Sequence, residues 1–173
     1  MHKRVLAVVH RDTLPSLESI LNRMIDDGTV DWDWYVFGGR YSHLIPISSN
    51  AKKVEQIEDP FYEGGVPYED VECNHAILNK VNWVNVCKLS QFRFDVVEHL
   101  TGEHGMGGIN TFVDFITDIY SFNEDAEIER DYVHVNRDLA DAECRMLWDF
   151  IKRIGTNKRV AKDWRVAIID AHY

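Results

Sequence analysis

Apolar positions along the chain change period several times, and each change marks an element. Residues 4–10, RVLAVVH, are a nearly continuous β-rich apolar run, as in a strand buried on both faces. From Thr13 the period lengthens. Leu14, Leu17, Leu21, Met24 and Ile25 keep helical spacing, Pro15 sits in a first turn where its missing N–H costs little, and Gly28 supplies a stop. Val30 to Phe37 predicts the next strand, ended by Gly38-Gly39, with residues 41–47 as its hairpin partner. Residues 76–86 lean to a strand. Helical spacing returns at Leu89, Phe92, Val96 and Leu100, and again at Phe112, Ile116, Ile119 and Tyr120, on either side of a Gly-rich break at 101–108. Asp138 is placed to cap a helix running to about Ile154, with Leu139, Leu147, Phe150, Ile151 and Ile154 on one face and Gly155 just past its end. Residues 163–173, DWRVAIIDAHY, form a last strand.

Strands at both ends, each beside a helix, suggest that the terminal strands are neighbours in one sheet. The expected fold is α+β: a single-domain sandwich over residues 1–173, ferredoxin-like or related, with residues 48–75 as an acidic loop insertion. Pro60, Gly64, Gly65 and Pro67 punctuate that insertion. The chain's 173 residues are enough for one sizeable core.

Charge narrows the partners. A net charge of −10 argues against non-specific nucleic-acid binding, which needs cations to displace counterions. Acidic residues crowd 55–72 and 114–131, whereas Arg145, Lys152, Arg153, Lys158, Arg159, Lys162 and Arg165 reverse the sign near the end. The bland account is solvated faces. The sharper one is an acidic side for a basic partner and a cationic rim for an anion. No apolar run reaches the roughly 18 residues of a membrane span. The N-terminal apolar run is about five residues, short of a secretory core of about 7–15, so a cytoplasmic protein is expected. Cys73, Cys87 and Cys144, odd in number and widely spaced, read as reduced thiols.

The stretch DWDWYVFGGRY, Asp31 to Tyr41, is the most distinctive in the chain. Strand alternation sends Trp32, Trp34 and Val36 to one face and Asp33, Tyr35 and Phe37 to the other, so both faces are expected to be covered. Gly38-Gly39 permits positive φ or a close backbone approach. Arg40 then brings five fixed donors to a strand end, suited to phosphate or carboxylate. Rings for stacking, backbone N–H groups and an arginine are what a nucleotide site requires. The same rings fill cores, the reading favoured for Trp32 and Trp34, and Arg40 has Asp31 and Asp33 for company. The candidate ligand-binding set is Trp34, Tyr35, Gly38, Gly39, Arg40 and Tyr41, with Arg40, Tyr41 and the glycine pair at its centre.

The pattern W-D-W-Y-x-x-G-G-R-[WY] over Trp32–Tyr41 resembles the signature of small uncharacterised proteins of bacteria and their phages. Several of those also close on a strand ending Asp-x-His plus an apolar residue, similar to Asp170-Ala171-His172-Tyr173 here. The resemblance covers these two segments and hardly any of the middle. It supplies no activity. It implies a phage or mobile-element setting, hence the host cytoplasm, where small proteins counter host defences.

Other chemistry-bearing residues are scattered. His10 and Asp12 on the first strand and Asp170 and His172 on the last meet only if those strands run parallel; an antiparallel pair separates His10 from His172. Glu98-His99 and Glu103-His104 precede GMGG, and a loop folding His99 and His104 onto one metal, with Cys73 or His75, is a weak candidate lacking zinc-like spacing. No cofactor motif is present, and no complete acid, base and anion-stabiliser set is visible. Three functions are therefore expected, in order. The first is a small-molecule binding protein that sequesters an anionic, nucleotide-derived signal, with Lys158 and Arg159 as added cations. The second is an acidic inhibitor or adaptor of a basic host protein. The third is a small metal- or His-dependent hydrolase using His99, His104 or His172.

Overall fold

A computed structural model describes residues 2–52, 81–101, 112–122, 127–137 and 141–173. The apolar run near the N-terminus is strand β1 (His2–His10), and the last apolar run is β8 (Trp164–His172). They are neighbours in one sheet and antiparallel, with His2 opposite His172 and His10 opposite Trp164. On its other side β1 runs parallel to β6 (Phe112–Phe122), which pairs antiparallel with β7 (Ile128–Arg137). The outer edge of β8 is shared by two short strands. β2 (Trp34–Phe37) takes residues 169–172 and β5 (Val86–Lys88) takes 165–167. The result is a mixed six-stranded sheet, and β3 (Ile45–Ser48) with β4 (Val81–Val84) forms a separate two-stranded one.

Both faces of the central β1–β8 pair are covered, which is why these strands are apolar almost throughout. Val5, Ala7, Val9, Ala167 and Ile169 share a core with Leu17, Leu21 and Met24 of α1 (Leu17–Asp26). Leu6, Val8, Val166 and Ile168 belong to the opposite core. That one includes Val96 of α2 (Phe94–Thr101), Trp148 and Ile151 of α3 (Ala142–Thr156) and Ala161 of α4 (Lys158–Ala161). Trp148, fully buried, sits among rings there, tilted against Phe115 at 5.2 Å and edge-on to Phe94 at 5.4 Å.

Several sequence expectations change. Residues 112–122, read as helical from their spacing, are the strand β6. Its apolar positions serve two buried faces of a sheet, so they mimic a helical period. Residues 41–47 do not form a hairpin with β2. Gly38 at φ 72° and Gly39 at φ 54° turn the chain out of the sheet into a 3-10 turn at Gly39–Tyr41, and β3 pairs with β4. Helix α3 is capped by Asp141, whose carboxylate accepts the backbone N–H groups of Glu143 and Cys144. Gly155 lies inside that helix, where an added Cβ would stand 2.8 Å from the Phe94 ring. Asp138, and the insertion from residue 53 onward, lie outside the described residues. Among the described residues no helix is long and apolar enough to cross a membrane.

Candidate functional site

The antiparallel pairing of the terminal strands decides what gathers at the sheet end. His10 goes to the far end, where its ring meets Trp164 edge-on and its Nδ1 accepts the backbone N–H of Asp12. His2, which sequence reasoning passed over, is delivered to His172. Because Trp34 is opposite His172 on the other side, Trp34, His172 and His2 form one row across β2, β8 and β1. Directly opposed residues share a face. The rings touch accordingly. Trp34 stacks on His172 at 5.1 Å and 13°, and His2 stands edge-on to His172 at 4.8 Å and to Trp34 at 5.4 Å.

One step inward, the next row on the same face is Arg4, Asp170 and Val36. Arg4 and Asp170 are both buried. Burial draws the Arg4 guanidinium down to about 10, opposed by the neighbouring Tyr41 hydroxyl. Asp170 accepts a hydrogen bond from His2 Nδ1 at 2.7 Å and one from the Arg40 backbone N–H at 3.1 Å, with Arg40 Nε at 3.7 Å. A carboxylate so placed needs a turn with no side chain above it. An ideal Cβ on Gly39 would lie 2.6 Å from Asp170 Oδ2. The close approach expected of the glycine pair is therefore a packing of Gly39 on Asp170.

The second histidine is held in the same way. His172 Nδ1 donates to Asp33 Oδ1 at 2.8 Å, while the Asp33 backbone N–H donates to the His172 carbonyl at 2.8 Å. The bond from His172 holds the exposed Asp33 carboxyl below the usual carboxylate range, against the pull of desolvation. Both imidazoles thus carry a carboxylate on Nδ1, which favours the tautomer protonated there.

The six residues singled out in the sequence divide between two faces. Trp34, Gly39, Arg40 and Tyr41 surround the Asp170–His2–His172 group; Tyr41 is buried and its hydroxyl donates to the His2 carbonyl at 3.3 Å. Gly38 makes the turn and donates its backbone N–H to the Ile168 carbonyl at 2.9 Å. Tyr35 points to the other face, where its hydroxyl donates to the Glu18 carbonyl and to Asn22 Oδ1. Trp34 is 42% exposed rather than core, and Val36 beside it is exposed too, so one face of β2 is uncovered. Trp32 is buried, in the α1 core, because residues 31–33 precede the strand and do not follow its alternation. Arg40 pairs with Asp170, not with Asp31 or Asp33; Asp31 holds Arg137 at 3.0 Å.

Lys158 and Arg159 do not join this group. They precede Trp164, at the opposite end of β8, roughly 26 Å away at about 3.3 Å per residue. His99, His104, Cys73 and His75 as metal ligands lie outside what the structure describes, and among the described residues no group of three or more potential ligands gathers. The stretch 114–131 is not a continuous acidic face. Asp114 and Asp118 are buried, beside Lys3 and Arg130 respectively, and Asp118 also accepts the Thr13 hydroxyl at 2.6 Å.

A cleft of about 620 Å³ opens beside β2, lined by Glu18, Asn22, Asp26, Asp33, Trp34 and Tyr35 among others. Its three carboxylates disfavour a phosphate inside it. Arg40 is outside the cleft's lining, beside Asp170. Fold and site together describe a mixed-sheet α+β protein whose sheet end carries two carboxylate-held imidazoles, an exposed indole and an arginine. Comparison with protein-family models, curated proteins and solved structures gives no significant match for the chain.

Proposed function

We propose that the protein binds an anionic small molecule with a planar ring, a nucleotide or nucleotide derivative, at the Trp34–His172–His2–Arg40 face. The observation that carries this reading is the half-exposed Arg40 guanidinium beside a row of rings whose outermost member, Trp34, is open to solvent. Stacking on such a ring contributes about 1–3 kcal/mol per base, and a guanidinium supplies paired donors for a phosphate. Asp33 and Asp170 balance Arg4 and Arg40 at this face. In the phage setting implied by the Trp32–Tyr41 motif, the use of such a site is removal of a nucleotide-derived signal from the host cytoplasm.

The fold assignment stays with relatives of the ferredoxin-like sandwich. Adjacent terminal strands fit that type, whereas the parallel β1–β6 pair and the helical cover on both faces depart from it. The second reading, an acidic adaptor, keeps Glu129 and Asp131 on the exposed edge strand β7 as its described contribution.

The test is native mass spectrometry of the protein as purified from cells, followed by titration with nucleotides monitored by calorimetry. A bound mass of a few hundred daltons, lost in Arg40→Ala and Trp34→Ala with the fold intact, is the expected result. Binding that survives both substitutions would refute the site.

A further inference from the structure

We infer that His2 and His172 are a proton-transfer pair and that this sheet end hydrolyses phosphodiesters. The inference rests on the binding reading above and adds chemistry to it.

Among the described histidines the two are set apart by their surroundings. His10 serves a turn: its Nδ1 accepts the Asp12 N–H, the Asp12 carboxylate 3.2 Å from it is largely exposed, and its ring covers Trp164. His134, on β7, is beside Tyr120. His43 meets its neighbouring Ser42 hydroxyl through Nδ1 at 3.2 Å. His2 and His172 each have a carboxylate on Nδ1, at 2.7 and 2.8 Å, and their rings are 4.8 Å apart. An aspartate in that position holds the imidazole in the tautomer with a basic Nε2 and stabilises the imidazolium once a proton arrives. The side chains are 19% and 29% exposed, so solvent and a ligand reach their edges. Two such groups side by side meet the needs of a displacement in which one proton is taken and another given. The remaining need is a cation for the anion undergoing attack, and Arg40 stands on the same Asp170 carboxylate as His2. Trp34, stacked on His172, places an aromatic substituent of the ester against the pair.

The step uses water as co-reactant. One imidazole takes a proton from water at Nε2 as the water oxygen forms a bond to phosphorus. The phosphorus–oxygen bond to the leaving alcohol breaks, and the other histidine, as imidazolium, gives its proton to that oxygen. The products are a phosphomonoester and an alcohol. Exchange with solvent restores the starting proton distribution.

The full chain would be assayed with thymidylyl-(3′→5′)-thymidine, which has a poor leaving group, and with the 4-nitrophenyl ester of thymidine 5′-phosphate, which has a good one. Binding of both probes is followed separately by calorimetry, and folding through thermal melts. Expected are turnover of both probes, a loss of about 10²–10⁴-fold in kcat for His2→Gln and for His172→Gln with binding kept within a few-fold, and unchanged turnover in His10→Gln. The histidine that protonates the leaving group should matter less for the nitrophenyl ester, a split that a merely structural role would not produce. Asp33→Asn, at an exposed position, supplies a second variant should His172→Gln not fold, with the same direction of loss. Binding without turnover of either probe would overturn the chemistry and leave the binding reading standing. Absence of binding would overturn both. Turnover indifferent to both histidines, or abolished by EDTA, would also overturn the proton-transfer pair.

Discussion

Replacing Gly39 with alanine tests the packing on which the whole sheet end depends. Two costs apply. Gly39 has φ 54°, a left-handed conformation that costs an L-residue about 1–2 kcal/mol. The added Cβ would also lie 2.6 Å from Oδ2 and 2.7 Å from Cβ of Asp170, closer than real atoms approach, so Asp170 must move. Asp170 has little room to do so, being 3% exposed and engaged by His2 and the Arg40 N–H. Loss of a hydrogen bond to a charged group costs about 1.5–3 kcal/mol, so Gly39→Ala should destabilise by about 3–5 kcal/mol in all. Gly28 is the internal control. It has φ 73° and nothing within 4 Å of an added Cβ, so Gly28→Ala carries the backbone cost alone, about 1–2 kcal/mol. Urea unfolding of wild type and both variants gives the comparison, with m-values checking that the unfolded states are alike. By thermal melts the excess for Gly39→Ala, about 1.5–3 kcal/mol, should be roughly 3–12 °C at about 2–4 °C per kcal/mol. Equal destabilisation by the two alanines would refute the reasoning, since Asp170 would then not be held under Gly39.

Asp114→Asn should stabilise the protein at neutral pH. Asp114 is fully buried with Lys3 Nζ at 3.6 Å, and desolvation raises its carboxyl above 3.8 despite the pull of Lys3 and Arg137. A raised carboxyl leaves stability intact below the unfolded value and lowers it as pH climbs through the folded one, so the variant's advantage should be present at pH 8 and vanish near pH 3.8. A constant difference across paired urea melts would contradict this. Asp141→Ala removes both cap bonds of α3 and should cost about 1 kcal/mol in the same assay, whereas no loss would mean another group caps the helix.

The elements legible in the sequence are those whose pattern has one explanation. Residues 5–9 and 166–169 are apolar without interruption because α1 covers one face and α2, α3 and α4 the other, and a doubly covered strand is expected to look so. α1 and α3 were legible from their stripes. β6 was not: Phe112, Ile116 and Ile119 fit a helical period by coincidence, and its neighbour β7 keeps a weak alternation of Val133 and Val135 among charges, as an exposed edge strand does. Trp34 misled because large rings suggest a core, and its exposure follows from β2 lying at the sheet edge over four residues.

The site itself depends on strand direction and register, which no local pattern records. Antiparallel pairing sends His10 to Trp164 and brings His2 to His172; parallel pairing would have done the reverse. Register matters as much, since a slip of one residue turns every side chain of β1 to the other face. The polar pairs at the strand end, Arg4 opposite Asp170 and His2 on Asp170, resist such a slip, but along residues 5–9 both faces are apolar and polarity does not. Size does. Beneath α1 lie Ala7 and Ala167, directly paired, whereas the opposite core takes Leu6 and Val8 against Ile168 and Val166. A slipped β1 would push Leu6 or Val8 under α1 and leave alanine-sized gaps around Trp148, at about 2–5 kcal/mol for each large-to-small exchange. The same slip would carry His2 away from Asp170. The placement of the two histidines is thus specified by the small residues under α1, and enlarging Ala7 or Ala167 should disturb the sheet end from the middle of the sheet.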